Sequence, residues 1–241
     1  MDIKGKNALI TGGAVRVGKG IALALAAAGS NVFIHYGRSD AAAVETAAAA
    51  QALGVKAEIG SADLSDPSSG AALVEQAAAA LGPIGIVVNS ASGFPTDTIS
   101  DVSVEQLEAT LRLSLLSPIM ITQAFAAQVE TEGAVVSVTD WRNHRPYPDH
   151  FSYTMAKGGL EVFTRAAAVS LAPKVRVNAV ALGAILPPPG KDSDYLKELA
   201  GALPLQRTGS PEIVGRAVLE LLGNDFITGE IIRLDGGAAL V

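Results

Sequence analysis

The chain of 241 residues contains no cysteine. Disulfides and thiolate metal sites are therefore excluded, and the composition suits a reducing compartment, so a cytoplasmic location is expected. Basic residues are not in excess either: 18 Lys and Arg stand against 24 Asp and Glu, a formal charge of -6. Without a basic stripe to displace phosphate counterions, nucleic acid is not an expected partner. Long apolar runs are also missing. The alanine-rich stretches are broken by Glu, Gln or Gly before they reach about 18 residues, so no membrane span is predicted. Charges and glycines interrupt Met1 to Gly20, which does not resemble a signal peptide. No linker-like stretch divides the chain, and its length suffices for one large core.

What the chain does have is alternation. Asn7 to Ile10 is a short apolar run, Thr11 to Gly20 is rich in glycine, and Ile21 to Ala28 reads as a helix closed by Gly29. A strand follows at Asn31 to Tyr36 and a helix at Ala41 to Leu53. Further strands are predicted at Lys56 to Ile59, Ile84 to Asn89, Ala134 to Val138, Val175 to Val180 and Glu230 to Leu234. Helices are predicted at Pro67 to Leu81, Val104 to Gln128, Tyr153 to Leu171 and Pro211 to Leu222. Strand and helix in turn imply an α/β fold: a Rossmann-like, doubly wound parallel sheet with helices on both faces. The alanine clusters favour helix and close packing on a sheet rather than marking repeats. One domain spans 1–241, with a nucleotide-binding half to about residue 130 and a catalytic half beyond.

The glycine-rich turn lets backbone N–H groups approach a pyrophosphate at the positive end of a helix. An NAD site would want an acid near the end of the second strand. Instead the chain carries Gly37-Arg38-Ser39, a cation and a hydroxyl suited to a 2′-phosphate, with Arg16 in the first turn as a second cation. NADPH is the expected cofactor.

Tyr153 and Lys157 stand four apart on a predicted helix, and so share one face. An ammonium beside a phenol lowers the cost of the phenolate and makes a tuned acid. Asp140, thirteen residues before the tyrosine, would push the phenol the other way. Its gain is recognition of, or proton transfer to, a ring nitrogen. The segment from Trp141 to Pro148 is rich in cations and aromatics; it reads as surface, contact with an acidic tail on the substrate being the other reading. His144 alone gives no basis for a metal site, and none is predicted. Leu186 to Asp192 reads as a wall over the substrate, or as a linker to the helix of Tyr195.

These motifs, with Ala62-Asp63-Leu64, Val88-Asn89-Ser90-Ala91, Val177-Asn178-Ala179-Val180 and Leu234-Asp235-Gly236-Gly237, resemble the short-chain dehydrogenase/reductase family over essentially the whole chain. The resemblance implies that Gly12, Arg16, Val17, Gly18, His35, Tyr36, Arg38, Ser39, Asp63, Leu64, Asn89, Ser90, Ala91, Tyr153, Lys157, Gly183 and Ile185 hold the cofactor. Thr11, Gly12, Arg16 and Gly18, the stretch His35 to Ser39, and Asp140 where the wider family has serine are similar to the pteridine reductase branch, dihydromonapterin reductases included. That likeness implies Asp140, Tyr153 and Lys157 as catalytic residues. It also implies Ser92, Phe94, Asp140 and Tyr153 around a dihydropterin, in a homotetramer or homodimer built partly on the Val104 and Tyr153 helices. Two departures stand out: Ser114 replaces an asparagine of the family's proton relay, and Leu182 replaces a proline. The rival expectations are a carbonyl or 3-oxoacyl reductase of the same family and a non-catalytic NADPH-binding regulator.

Overall fold

The alternation builds seven parallel strands in a computed structural model that describes residues 1–188, 190–191 and 193–241. The strands are β1 (Asn7–Thr11), β2 (Asn31–Tyr36), β3 (Ala57–Ser61), β4 (Ile86–Asn89), β5 (Gly133–Asp140), β6 (Val175–Leu182) and β7 (Ile231–Leu234), in the order β3-β2-β1-β4-β5-β6-β7. The strand order reverses between β1 and β4. A crevice at the carboxyl ends of these two strands is where open α/β sheets take ligands.

Because side chains alternate along a strand, β1 feeds both faces of the sheet. Ala8 and Ile10 pack with α1 (Arg16–Ala27), α2 (Asp40–Gln51) and α8 (Pro211–Gly223). Leu9 packs with α3 (Ser69–Leu81), α5 (Ser117–Gln128) and α6 (Phe151–Leu171). The remaining helices are α4 (Val104–Leu111) and α7 (Ser193–Ala202). Glycine brings α1 and α8 into backbone contact: a Cβ on Gly20 would lie 2.4 Å from Pro211 Cβ, and one on Gly215 would lie 2.6 Å from Ala24 Cβ.

The expected single helix from Val104 to Gln128 carries a π-helical turn, Arg112–Leu116, between α4 and α5. Pro118 has no N–H to return to the carbonyl four residues back, and the ladder widens there instead. The same 25 residues are long and apolar enough to cross a membrane by length and composition, which the sequence pattern did not anticipate. Here they lie in the helical layer, with Ser114, Ile121 and Phe125 fully buried. Helix α6 begins at Phe151, two residues before the expected start, because the Asp97 carboxylate accepts the Ser152 N–H at 2.9 Å and its hydroxyl as well. Strand β5 runs on through Asp140, which pairs in register with Leu182. Helix α1 starts at Arg16 rather than Ile21.

At the far edge, Arg176 closes the end of α8. Its guanidinium donates to Leu221 O at 2.9 Å, Leu222 O at 2.7 Å and Ile227 O at 2.8 Å. Arg176→Ala would strip these carbonyls of a charge-assisted donor. Thermal unfolding should show a loss of about 2 kcal/mol, with little effect on the distant crevice.

Candidate active site

The glycine turn is held from behind. Buried His35, on β2, accepts the Gly12 N–H at Nδ1 (3.1 Å), donates from Nε2 to Ala62 O (3.0 Å), and accepts the Gly13 N–H at its carbonyl (3.0 Å). Burial lowers the pKa of this imidazole, which suits a neutral ring with one donor and one acceptor. Its ring thus braces the turn against β2 and β3 and presents no surface to the crevice. Thr11 does similar service across the switch point, where its Oγ1 accepts the N–H groups of Ser90 (3.0 Å) and Ala91 (3.1 Å).

The turn has no room for side chains at two glycines. A Cβ on Gly12 would lie 3.0 Å from Ala91 Cα, and one on Gly18 would lie 2.1 Å from Gly12 O. Val17 is half-buried above Gly18, while Arg38 is exposed and Ser39 half-buried just beyond Tyr36 at the end of β2. Asp63 is exposed near Arg38, and Ser65 holds its carboxylate below the usual range through two hydrogen bonds; Leu64 beside it is buried. Asn89 Oδ1 is buried and without a donor among the described residues, an acceptor a bound dinucleotide could satisfy. These features fit a dinucleotide.

Arg16 takes a conformation the sequence did not suggest. It has a left-handed backbone (φ 54°), and its guanidinium donates to Pro187 O at 2.7 Å, tying the first turn to the segment after β6. Pro189 and Asp192, part of the expected substrate wall, lie outside the described residues. Gly183 passes against Asp235, where a Cβ would approach to 2.6 Å, and Ile185 is buried beneath Gly209.

At the other side of the crevice, β5 delivers Asp140 and the first turns of α6 deliver Tyr153 and Lys157, all three buried. The Tyr153 hydroxyl donates to Asp140 Oδ2 at 3.0 Å, and Tyr147 donates to the same oxygen at 3.4 Å. Oδ1 accepts the Arg142 backbone N–H at 2.8 Å. Burial raises the Asp140 pKa, against the pull of these donors and of Lys157. The expected ammonium-to-phenol contact is replaced: Lys157 Nζ donates to Val138 O at 2.8 Å and lies 5.7 Å from the Tyr153 ring centre. The phenol is accordingly not lowered. Burial first, and then Asp140, push it well above its ordinary value. Burial pushes Lys157 down to about 8, with Asp140 opposing.

Around this trio stands an aromatic group that the sequence pattern only partly indicated. Phe94 meets Tyr153 edge-on at 4.8 Å and stacks on His150 at 3.8 Å, so one of its faces is already covered. Ser92 Oγ lies 3.2 Å from Ser114 Oγ, which projects from the π-helical turn. Tyr147, His150 and Asp97 were not singled out individually. The aromatic run after Asp140 was a usable signal for Tyr147, whereas nothing local marks Asp97.

A turn with room for a pyrophosphate beside a buried carboxyl, phenol and amine is an arrangement that suits an oxidoreductase working with a nicotinamide dinucleotide. A family model described as Enoyl-(Acyl carrier protein) reductase matches residues 13–239, and the chain belongs to the short-chain dehydrogenase/reductase family. Among solved structures, FolM alternative dihydrofolate reductase 1 from Brucella canis, complexed with NADP, is 34% identical with a TM-score of 0.93, over 100% of this chain and 97% of that one. The FolM structure from Brucella suis, also with NADP, is 34% identical with a TM-score of 0.94 over the same shares. L-rhamnose 1-dehydrogenase (NADP(+)) of Thermoplasma acidophilum is 31% identical over 98% of this chain and 97% of its own.

Proposed function

We propose that this oxidoreductase uses NADPH to reduce a dihydropterin or a closely related pteridine. The observation that carries the reading is the Tyr153 hydroxyl donating to a buried carboxyl, Asp140, at 3.0 Å. Burial raises the pKa of this carboxyl and so favours its protonated form, and a carboxylic acid can pass a proton to a basic ring nitrogen far more readily than a serine hydroxyl can. Likeness to FolM structures solved with NADP supports the same substrate class and cofactor.

When bound, the nicotinamide supplies a hydride. In this reading Gly12, Val17 and Gly18 line the pyrophosphate, with His35 bracing them, and Tyr36, Arg38, Ser39 and Arg16 face the 2′-phosphate ribose. Asp63 and Leu64 flank the adenine. Asn89, Ser90, Ala91, Gly183 and Ile185 enclose the nicotinamide half, and Lys157 and Tyr153 hold its ribose. A flat pterin lies beside the open face of Phe94 and near Ser92. There Asp140 and Tyr153 deliver the proton to the ring nitrogen next to the carbon being reduced. The whole chain acts as one catalytic domain. Met155, Val162 and Val169, exposed by 45%, 65% and 82% at seven-residue intervals along α6, support assembly into a homodimer or homotetramer.

Carbonyl reduction is the second reading, favoured by the dehydrogenase relative. Asp140→Ser separates the two. Turnover of a dihydropterin should fall at least about tenfold more than turnover of an activated ketone; an equal loss on both would remove the case for nitrogen-directed chemistry. The pH dependence follows from the same carboxyl. Turnover should fall as pH rises through the raised Asp140 pKa, because the proton to be delivered is lost, and again near 8 as Lys157 loses its charge. A pH–rate profile of wild type against Asp140→Asn checks this, since the variant should lack the first limb.

A further inference from the structure

Arg142 is the second residue past Asp140, in the short 3-10 turn Trp141–Asn143. Its guanidinium carbon lies 4.9 Å from the centre of the Trp141 ring and 4.7 Å from that of Tyr147. Tyr147 in turn reaches Asp140 Oδ2 with its hydroxyl and Phe94 with its ring edge, at 5.6 Å between centroids. The cation is thus built into the wall that carries the proton donor. An ordinary surface arginine has many rotamers; one held against two aromatic faces has few, at an entropic cost that a purely solvated role does not offset.

Its charge is not spent inside the protein. Asp140 takes only the Arg142 backbone N–H, and no carboxylate lies within 4.0 Å of the guanidinium among the described residues. Nearby are exposed His144 and Arg145, Asp149, which lies 3.8 Å from His150, and buried Glu161, whose carboxylate accepts from the Asn143 side chain at 2.6 Å. Stacking occupies the faces of a guanidinium and leaves its edge of N–H donors for an oxyanion.

We propose that Arg142, clasped by Trp141 and Tyr147, forms an oxyanion subsite at the mouth of the substrate pocket, selecting substrates whose tail bears a carboxylate or phosphate. The proposal rests on the reductase reading for its pocket but not on the identity of the ring reduced. Both chemistries offer the same bidentate acceptor, and the tails compared below tell them apart.

The test measures kcat/KM for matched pairs: a dihydropterin with a neutral side chain against the same ring carrying a glutamyl carboxylate or a phosphate, and a ketone ester against its free acid. Wild type should prefer the anionic member of a pair, a preference that weakens with added salt. In Arg142→Gln the anionic-to-neutral ratio should fall on the order of 10- to 100-fold, mainly through KM, with partial rescue in Arg142→Lys and a smaller change in Arg145→Gln. Carboxylate and phosphate tails tested separately show which is preferred. A ratio unchanged in Arg142→Gln, or lowered as much by Arg145→Gln, would overturn the subsite. Turnover of neither pterin with intact selectivity on the ketone pair would instead overturn the pterin reading alone. Should the variant fail to fold, a salt-independent ratio in wild type would still contradict the proposal.

Discussion

Tyr153→Phe is expected to lower kcat by roughly 10²- to 10⁴-fold, the range of a lost acid–base group. The change removes one oxygen and keeps the ring. Contacts with Phe94 at 4.8 Å and the packing of α6 on β5 therefore survive, and the variant should fold. Two things are lost together: the hydroxyl proposed to donate the proton, and the 3.0 Å hydrogen bond that helps keep Asp140 ionisable. Without that bond the carboxyl pKa rises further, so the fall in turnover that Asp140 sets should move to higher pH in any residual activity. NADPH titration by fluorescence should show affinity within severalfold of wild type, because the turn and the Asp63 region are untouched. Turnover equal to wild type would remove Tyr153 from the chemistry.

Gly18→Ala should act at the opposite end of the crevice, on binding rather than on the proton. The added methyl would stand 2.1 Å from Gly12 O and 2.8 Å from Gly12 C, both backbone atoms of the turn itself. No rotamer change relieves that overlap; the turn has to open. Opening it strains the Gly12 and Gly13 hydrogen bonds to His35, so overpacking is compounded by lost polar contacts, about 1–3 kcal/mol or more. NADPH affinity should drop at least about 100-fold, with a lower Tm as the turn loosens. Normal affinity in the variant would mean that the turn does not cradle the pyrophosphate.

Much of this architecture was legible because its signals are local. Apolar runs of strand length, alanine-rich helices and a glycine cluster between the first strand and helix placed most strands and helices of the parallel sheet within a few residues, while the strand order came from the structure. The i, i+4 spacing of Tyr153 and Lys157 correctly put both on one helix face. Spacing does not choose a rotamer, however, and Lys157 turns to Val138 O on the neighbouring strand. The same limit applies to Arg16. Its partner Pro187 is 171 residues away, so no window of sequence shows the contact. The early start of α6 depends on Asp97, 55 residues upstream of Ser152, and the π-helical turn reflects Pro118 inside a segment whose hydropathy still reads as continuous helix. Tyr147 stood in plain view within an aromatic run, but its hydroxyl meets Asp140 only because the chain doubles back after the strand.

The central claim, that this is an NADPH-dependent reductase with a carboxyl-assisted proton donor suited to a pterin, is tested most directly by NADPH oxidation with purified protein. A dihydropterin, a panel of ketones and 3-oxoacyl thioesters would be compared at equal concentration, with NADH as the alternative cofactor. Turnover concentrated on the dihydropterin and on NADPH is the predicted result. Turnover confined to a ketone or thioester, or a preference for NADH, would contradict it.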